Sequence, residues 1–221
     1  MDPEHHEDSG PPGILTGQAL HFTCLALLLV ATGFGWERLG RPFPGVFWTA
    51  VAVPVVHQLF VWLAWRVELR RAGVSASLGF GVYLVVFFLL FGGRFVSLAA
   101  LAWSDRGSLD LPAVPRAVFT ALLSIPGLYA GYSVRRYFGL ARAAGADHFD
   151  PRYREMPFVR RGIFRFTRNG MYTYAFLLFW AIALGFGSSA ALLVAAFSHA
   201  YIWVHFHATE KPDMRYLYGP S

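Results

Sequence analysis

ILTGQALHFTCLALLLVATGF, residues 14–34, runs for 21 positions without an aspartate, glutamate, lysine or arginine. That length matches the roughly 20 apolar residues that carry a helix across a bilayer's hydrocarbon core. Three further runs of the same kind follow, near Val46 to Trp65, Leu78 to Phe91 or a little beyond, and Val118 to Val134. Pro54 and Pro126 fall inside two of them, where membrane helices tolerate proline as a kink because neighbouring groups re-satisfy the freed carbonyl. Composition supports the same reading: of 221 residues 56% are hydrophobic and only 14% charged, where a soluble domain carries about 25% charge. Too few polar side chains exist to cover a globule in water. The single Cys24 excludes a disulfide scaffold and offers no cysteine cluster for zinc.

Two shorter apolar runs, Met171 to Phe186 and Ala190 to Phe206, are separated by Gly185, Gly187, Ser188 and Ser189, a spacing that predicts a helical hairpin. The expected fold is therefore all-α and polytopic, with about six membrane helices, four plus a C-terminal hairpin. Residues 1–13, acidic and rich in proline and glycine, lack the positive n-region of a signal peptide and are read as a disordered tail. Residues 14–134 form the four-helix membrane region, and residues 135–221 form a basic loop, hairpin and terminal segment.

Arginine sets the expected orientation, since short positively charged loops stay cytoplasmic. Twelve arginines, among them Arg66, Arg70 and Arg71 and nine between Arg135 and Arg168, fall on one side of this topology. The other side holds Arg38, Arg41 and Arg106. Both termini and the main loop are thus placed in the cytosol, in a bacterial inner membrane or the endoplasmic reticulum. Arg94 and Arg116, near the ends of the apolar runs, are expected to snorkel to the interface. RFVSLAALAW, residues 94–103, is expected to lie along the outer surface as an amphipathic segment. A net charge of +6 would suggest nucleic acid in a soluble protein, but with arginines set between apolar runs the expected partners are anionic headgroups.

Chemistry concentrates after Tyr137. The run RNGMY, Arg168 to Tyr172, stands where a loop enters a helix, a place whose free N–H groups favour an anion. Beyond the hairpin, HAYIWVHFHATE brings His199, His205, His207 and Glu210. His199 and Glu210 are eleven positions apart, about 1100° at ~100° per residue, which returns them to within about 20° of one face, with Trp203 and Phe206 close to that line. Two other readings compete for the histidines: a b-type haem held by His21 and His57, and a di-iron hydroxylase, whose HxxxH and HxxHH boxes this sequence lacks.

At these residues the sequence resembles the membrane-embedded S-adenosylmethionine-dependent methyltransferases that include phosphatidylethanolamine N-methyltransferase and isoprenylcysteine carboxyl methyltransferase. Gly162-Ile163-Phe164, then Arg168-Asn169-Gly170-Met171-Tyr172, two helices, and Glu210-Lys211-Pro212-Asp213-Met214 ending at Tyr218-Gly219 carry the resemblance over about the last 85 residues. Asn169 in place of histidine and the Tyr-Phe-Gly at 137–139 are nearer the phospholipid branch. Gly170 replaces a proline of the family pattern and Lys211 its second glutamate.

The resemblance implies S-adenosylmethionine as cofactor and a membrane lipid as acceptor, most directly a phospholipid amine; a prenylcysteine carboxylate, or a non-catalytic lipid-binding role, are its alternatives. It assigns the cofactor ammonium to Glu210, pocket walls to Asn169, Tyr172 and His207, and a carboxylate or headgroup phosphate to Arg168. Gly131, with Gly127, would approach the cofactor from the preceding helix. A protonated amine must lose a proton before attack, and His199 or His207 is the expected base. Asp147 and His148 in GADHFD form a second candidate pair beside the headgroup.

Overall fold

The computed structural model describes residues 10–219. Most of the expected tail, residues 1–9, lies outside the described residues. Five helices are long and apolar enough to cross a membrane, and a sixth apolar helix, Met171–Phe186, is shorter. In chain order the α-helices are α1 Gln18–Arg38, α2 Pro44–Arg71, α3 Gly73–Ser77, α4 Phe80–Ser104, α5 Ala113–Ser133, α6 Leu140–Ala143, α7 Ala146–Phe149, α8 Pro151–Arg154, α9 Leu177–Phe186, α10 Ser189–His205 and α11 Lys211–Tyr218. Both α2 and α5 run on through their internal prolines, Pro54 and Pro126.

Helix α10 is the hub, packing against α1, α2, α4 and α9, while α5 covers the other side of α9. Lipid tails are as apolar as leucine, so helices gain little by hiding leucine from them and associate through close backbone packing instead. Ala190, Ala191 and Ala195 on α10 and Ala183 on α9 are accordingly fully buried, against Phe47 and Leu101. Leu27, Val30, Val85, Leu89, Leu122 and Ile125 face outward.

The hairpin between α9 and α10 closes at Gly187, whose φ of 64° is the left-handed conformation glycine adopts without strain. Ser188 then caps α10 by accepting from the Ala191 N–H at 3.0 Å. Asp105, at the end of α4, accepts from the Ser188 hydroxyl at 2.7 Å and the Ala190 N–H at 2.9 Å. One carboxylate thereby satisfies the start of α10 and ties it to α4.

Two expectations are corrected. Residues 94–103 do not lie on a surface: α4 continues unbroken to Ser104, with Leu98, Leu101 and Ala102 in the core. Arg94 does not snorkel, being 3% exposed. Its helix position faces α2 and α9, and its guanidinium stands over the rings of Phe176 and Phe179 at 5.0 and 5.6 Å. Snorkelling needs a path to the interface along the helix exterior, and this side chain starts on the interior face.

Candidate functional site

Three π-helical turns, Val134–Phe138, Met171–Ala175 and Phe206–Glu210, sit at the arginine-rich end of the bundle. Such turns widen a helix by one residue and are frequent where side chains must be re-aimed. The second carries Tyr172 and the third carries Phe206, His207 and Glu210, and the two come together. Tyr172 donates its hydroxyl to Glu210 Oε2. Its ring meets Trp203 at 6.0 Å and Phe206 at 5.7 Å, and Trp203 meets Phe206 at 5.7 Å. His207 is exposed, with its ring 5.1 Å from Phe206 and 6.3 Å from Trp203. A carboxylate among aromatic faces is a receptor for a cation, since both the anion and the ring quadrupoles attract positive charge.

The loop that delivers Tyr172 is anchored by glycine. Gly162 adopts φ 59°, and a side chain there would meet the Ser133 hydroxyl at 2.4 Å. That contact lets the Ile163 N–H donate to Ser133 Oγ at 3.0 Å, fastening the loop to the end of α5. Gly170 is buried, and a Cβ there would press on Ile163 at 2.9 Å. Asn169 is half-buried; its N–H donates to Thr167 Oγ1 and its carbonyl accepts from the Thr173 N–H. Arg168 is exposed at the rim. Gly131 is exposed with open space where a side chain would be, whereas Gly127 is a packing contact, its missing Cβ within 2.7 Å of Leu178.

His199 packs on the α9 side of the Tyr172 turn. Its Nδ1 accepts from Trp180 Nε1 at 3.2 Å and its ring stacks on Phe176 at 5.6 Å. The π turn at Phe206–Glu210 interrupts the regular ~100° step, so Glu210 reaches Tyr172 while His199 turns to α9.

Behind this cluster lies a buried ionic lock that the sequence reading did not anticipate. Arg66 Nε stands 2.9 Å from Asp213 Oδ1, and His148 Nε2 is 3.4 Å from Asp213 Oδ2. His148 Nδ1 is 3.1 Å from Asp147 Oδ1, and the Tyr218 hydroxyl donates to Asp147 Oδ2 at 2.9 Å. Trp65 stacks on His148 at 4.0 Å. Arg66 also donates to the carbonyls of Gly13 at 2.7 Å and Thr16 at 3.3 Å, so the chain entering α1 is pinned as well. Burial alone would lower the His148 pKa, but hydrogen bonds to Asp147 and Asp213 and the charges of both outweigh it and push the imidazole up to about 9. Asp147 is shifted below the usual carboxylate range: burial opposes this, and the His148 contact and Tyr218 hydroxyl outweigh burial.

Asp147 and His148 therefore fasten loop to helix, holding α11 in place just after Glu210. In the sequence Arg66 reads as topological charge and Asp213 as one letter of a motif; no local pattern reveals a pair 147 positions apart. His21 bonds to the Tyr201 hydroxyl at 2.7 Å and His57 lies 3.5 Å from Arg94, partners that do not present the two histidines as an axial pair.

Residues 115–221 match the family described as Phospholipid methyltransferase (PEMT). No curated protein and no solved structure matches the chain.

Proposed function

Because residues 115–221 place this chain in the phospholipid methyltransferase family, whose members use S-adenosylmethionine, we propose that its acceptor is the amine of a phospholipid headgroup, methylated at the Tyr172–Glu210 cluster on the cytosolic side. The single observation carrying this reading is the meeting of the Glu210 carboxylate with the rings of Tyr172, Trp203 and Phe206. S-adenosylmethionine supplies a methyl group on a cationic sulfonium, and its ammonium and carboxylate call for an anion and a cation respectively. Glu210 receives the ammonium, and Tyr172 holds that carboxylate in place through its hydroxyl. Trp203 and Phe206 turn their faces to positive charge. Arg168, exposed at the rim, takes the carboxylate; Asn169 shapes the wall, and Gly131 leaves room on α5.

Methyl transfer is an in-line displacement, so holding donor and acceptor in line is the main service the chain performs. The acceptor amine must first lose a proton. His207 is the residue placed for this, exposed at the aromatic rim where it exchanges protons with water. His199 has its Nδ1 lone pair engaged by Trp180 and supports Phe176 instead.

Around the site, Arg135, Arg136, Arg160, Arg161 and Arg165 are exposed beside outward-facing Phe158 and Phe166. This rim suits an anionic headgroup layer, at ~1 kcal/mol per basic residue near the surface. The arginine distribution supports reading that layer as the cytosolic leaflet.

The test is transfer from radiolabelled S-adenosylmethionine in nanodiscs containing phosphatidylethanolamine. The expected product is label in mono- or dimethylated headgroups, lost in Glu210→Gln. Label in a prenylcysteine ester but in no phospholipid would overturn the acceptor, and cofactor binding unchanged in both Glu210→Gln and Arg168→Ala would overturn the site.

A further inference from the structure

Among the described residues, the buried charges of this protein are met by protein groups, with one exception. Arg66 meets Asp213, Asp147 meets His148, Asp105 takes the start of α10, Glu68 accepts from the Val74 and Ser75 N–H groups, and Arg142 donates to the carbonyls of Met156 and Pro157. Arg94, halfway along α4, meets no carboxylate. Its Nη1 lies 3.5 Å from His57 Nδ1, while its Nε and Nη2 find no protein acceptor.

A guanidinium can only donate, so the His57 nitrogen facing it is the acceptor, and the imidazole proton of the neutral ring resides on Nε2. That Nε2 is buried and has no protein partner either. Adjacent helices α2 and α4 thus bring together at least three unmatched donor atoms in the interior of a membrane bundle. A charged side chain is costly to bury there, and such residues mark functional sites by default. The set is complementary to one ligand chemistry, a singly charged oxyanion with several acceptor lone pairs.

Its position says which. Phe176, the ring beneath the Arg94 guanidinium at 5.0 Å, stands four residues after Tyr172, about one turn further into the bundle. A phospholipid whose tails remain in the bilayer carries its phosphate deeper than its amine, by two methylenes and an ester oxygen. The protein presents the same order, the cluster around Tyr172 where the methyl group is transferred to the amine and an anion receptor one turn deeper.

We propose that Arg94 and His57 bind the phosphate of the acceptor lipid, so that helices α2 and α4, which precede the family-matching residues 115–221, supply the acceptor subsite. This rests on the phospholipid reading above. Binding without cofactor keeps the two separable, because loss of label transfer in the parent protein sinks that reading, whereas the phosphate subsite is read from affinity alone.

The experiment measures equilibrium binding of dioctanoyl phosphatidylethanolamine and of dodecylamine, an amine without phosphate, to the full chain in detergent. The expected result is that Arg94→Gln weakens phosphatidylethanolamine binding at least about ten-fold, as loss of a charge-assisted hydrogen bond does. Dodecylamine and S-adenosylmethionine should stay within about two-fold, and Arg94→Lys should recover part of the loss. If Arg94→Gln fails to fold, the parent alone decides: dioctanoyl phosphatidate should compete with phosphatidylethanolamine while dioctanoylglycerol should not. Unchanged phosphatidylethanolamine affinity in Arg94→Gln, equal loss for both amines, or no competition by dioctanoyl phosphatidate would overturn the proposal.

Discussion

Arg66 at the end of α2 and Asp213 in α11 meet at 2.9 Å with neither side chain exposed to solvent. Removing one member of a buried pair strands the other's charge, at a cost of about 3 to 5 kcal/mol. Asp213→Ala should therefore lower the thermal midpoint in detergent sharply, and the double change Arg66→Met with Asp213→Leu should restore much of it. Equal midpoints for Asp213→Ala and the parent would show that the pair is not holding the fold.

Glu210 and Tyr172 separate charge from positioning. Glu210→Gln removes the anion and should weaken cofactor binding by about ten-fold or more, whereas Tyr172→Phe leaves it and should cost less. Isothermal titration with S-adenosylmethionine on both variants decides the order; a larger loss in Tyr172→Phe would contradict the assignment.

His148 gives the fold a pH limit. Its folded pKa, up to about 9, lies above its ordinary value of 6.5, so the native state holds the proton more tightly than the unfolded chain. The stability this supplies is complete below about 6.5 and is lost as pH rises through about 9. Thermal midpoints should fall between pH 7 and 10, and His148→Asn should flatten that part of the curve. A parent midpoint flat across this range would refute the coupling.

The two histidines at the hairpin's end should behave differently. His207→Gln should depress turnover and alter its pH profile, because it removes the base proposed for the acceptor amine. His199→Gln should change stability more than the profile, since it loses the Trp180 bond and the Phe176 stack. Initial rates from pH 5.5 to 9 on both variants test this, and a profile altered only by His199→Gln would reverse the roles.

Asp105 lies at the opposite end of α10 from Glu210. Asp105→Ala removes the acceptor for the Ser188 hydroxyl and the Ala190 N–H and should cost about 1 to 3 kcal/mol of stability. Cofactor affinity at low temperature should be unchanged. A parallel loss of affinity would mean that the hairpin turn and the site are coupled.

The helices were legible because each apolar run satisfies one strong physical demand, a length of hydrocarbon to cross. The hairpin was legible for the same reason, with Gly187 and Ser188 marking its turn. Where sequence reasoning failed, the deciding information was three-dimensional. Whether Arg94 snorkels depends on which face of α4 meets α2 and α9, and a helix apolar all round carries no sign of that face. At the site, the structure brings Tyr172 and Glu210 together, whereas the line drawn from His199 to Glu210 assumes an unbroken α-helix. The Arg66–Asp213–His148 lock was invisible because its members come from three distant segments and none has a distinctive local pattern.

The π turn at Phe206–Glu210 makes α10 and α11 a single rod whose phase is set by one residue. Were the same five residues to wind as an ordinary α-helix, everything beyond would rotate by about 100°. Glu210 would swing off Tyr172 and Asp213 off Arg66 in the same movement. Ligand receptor and structural anchor therefore share one register, and a chain that loses the first by a frame slip along the helix loses the second with it.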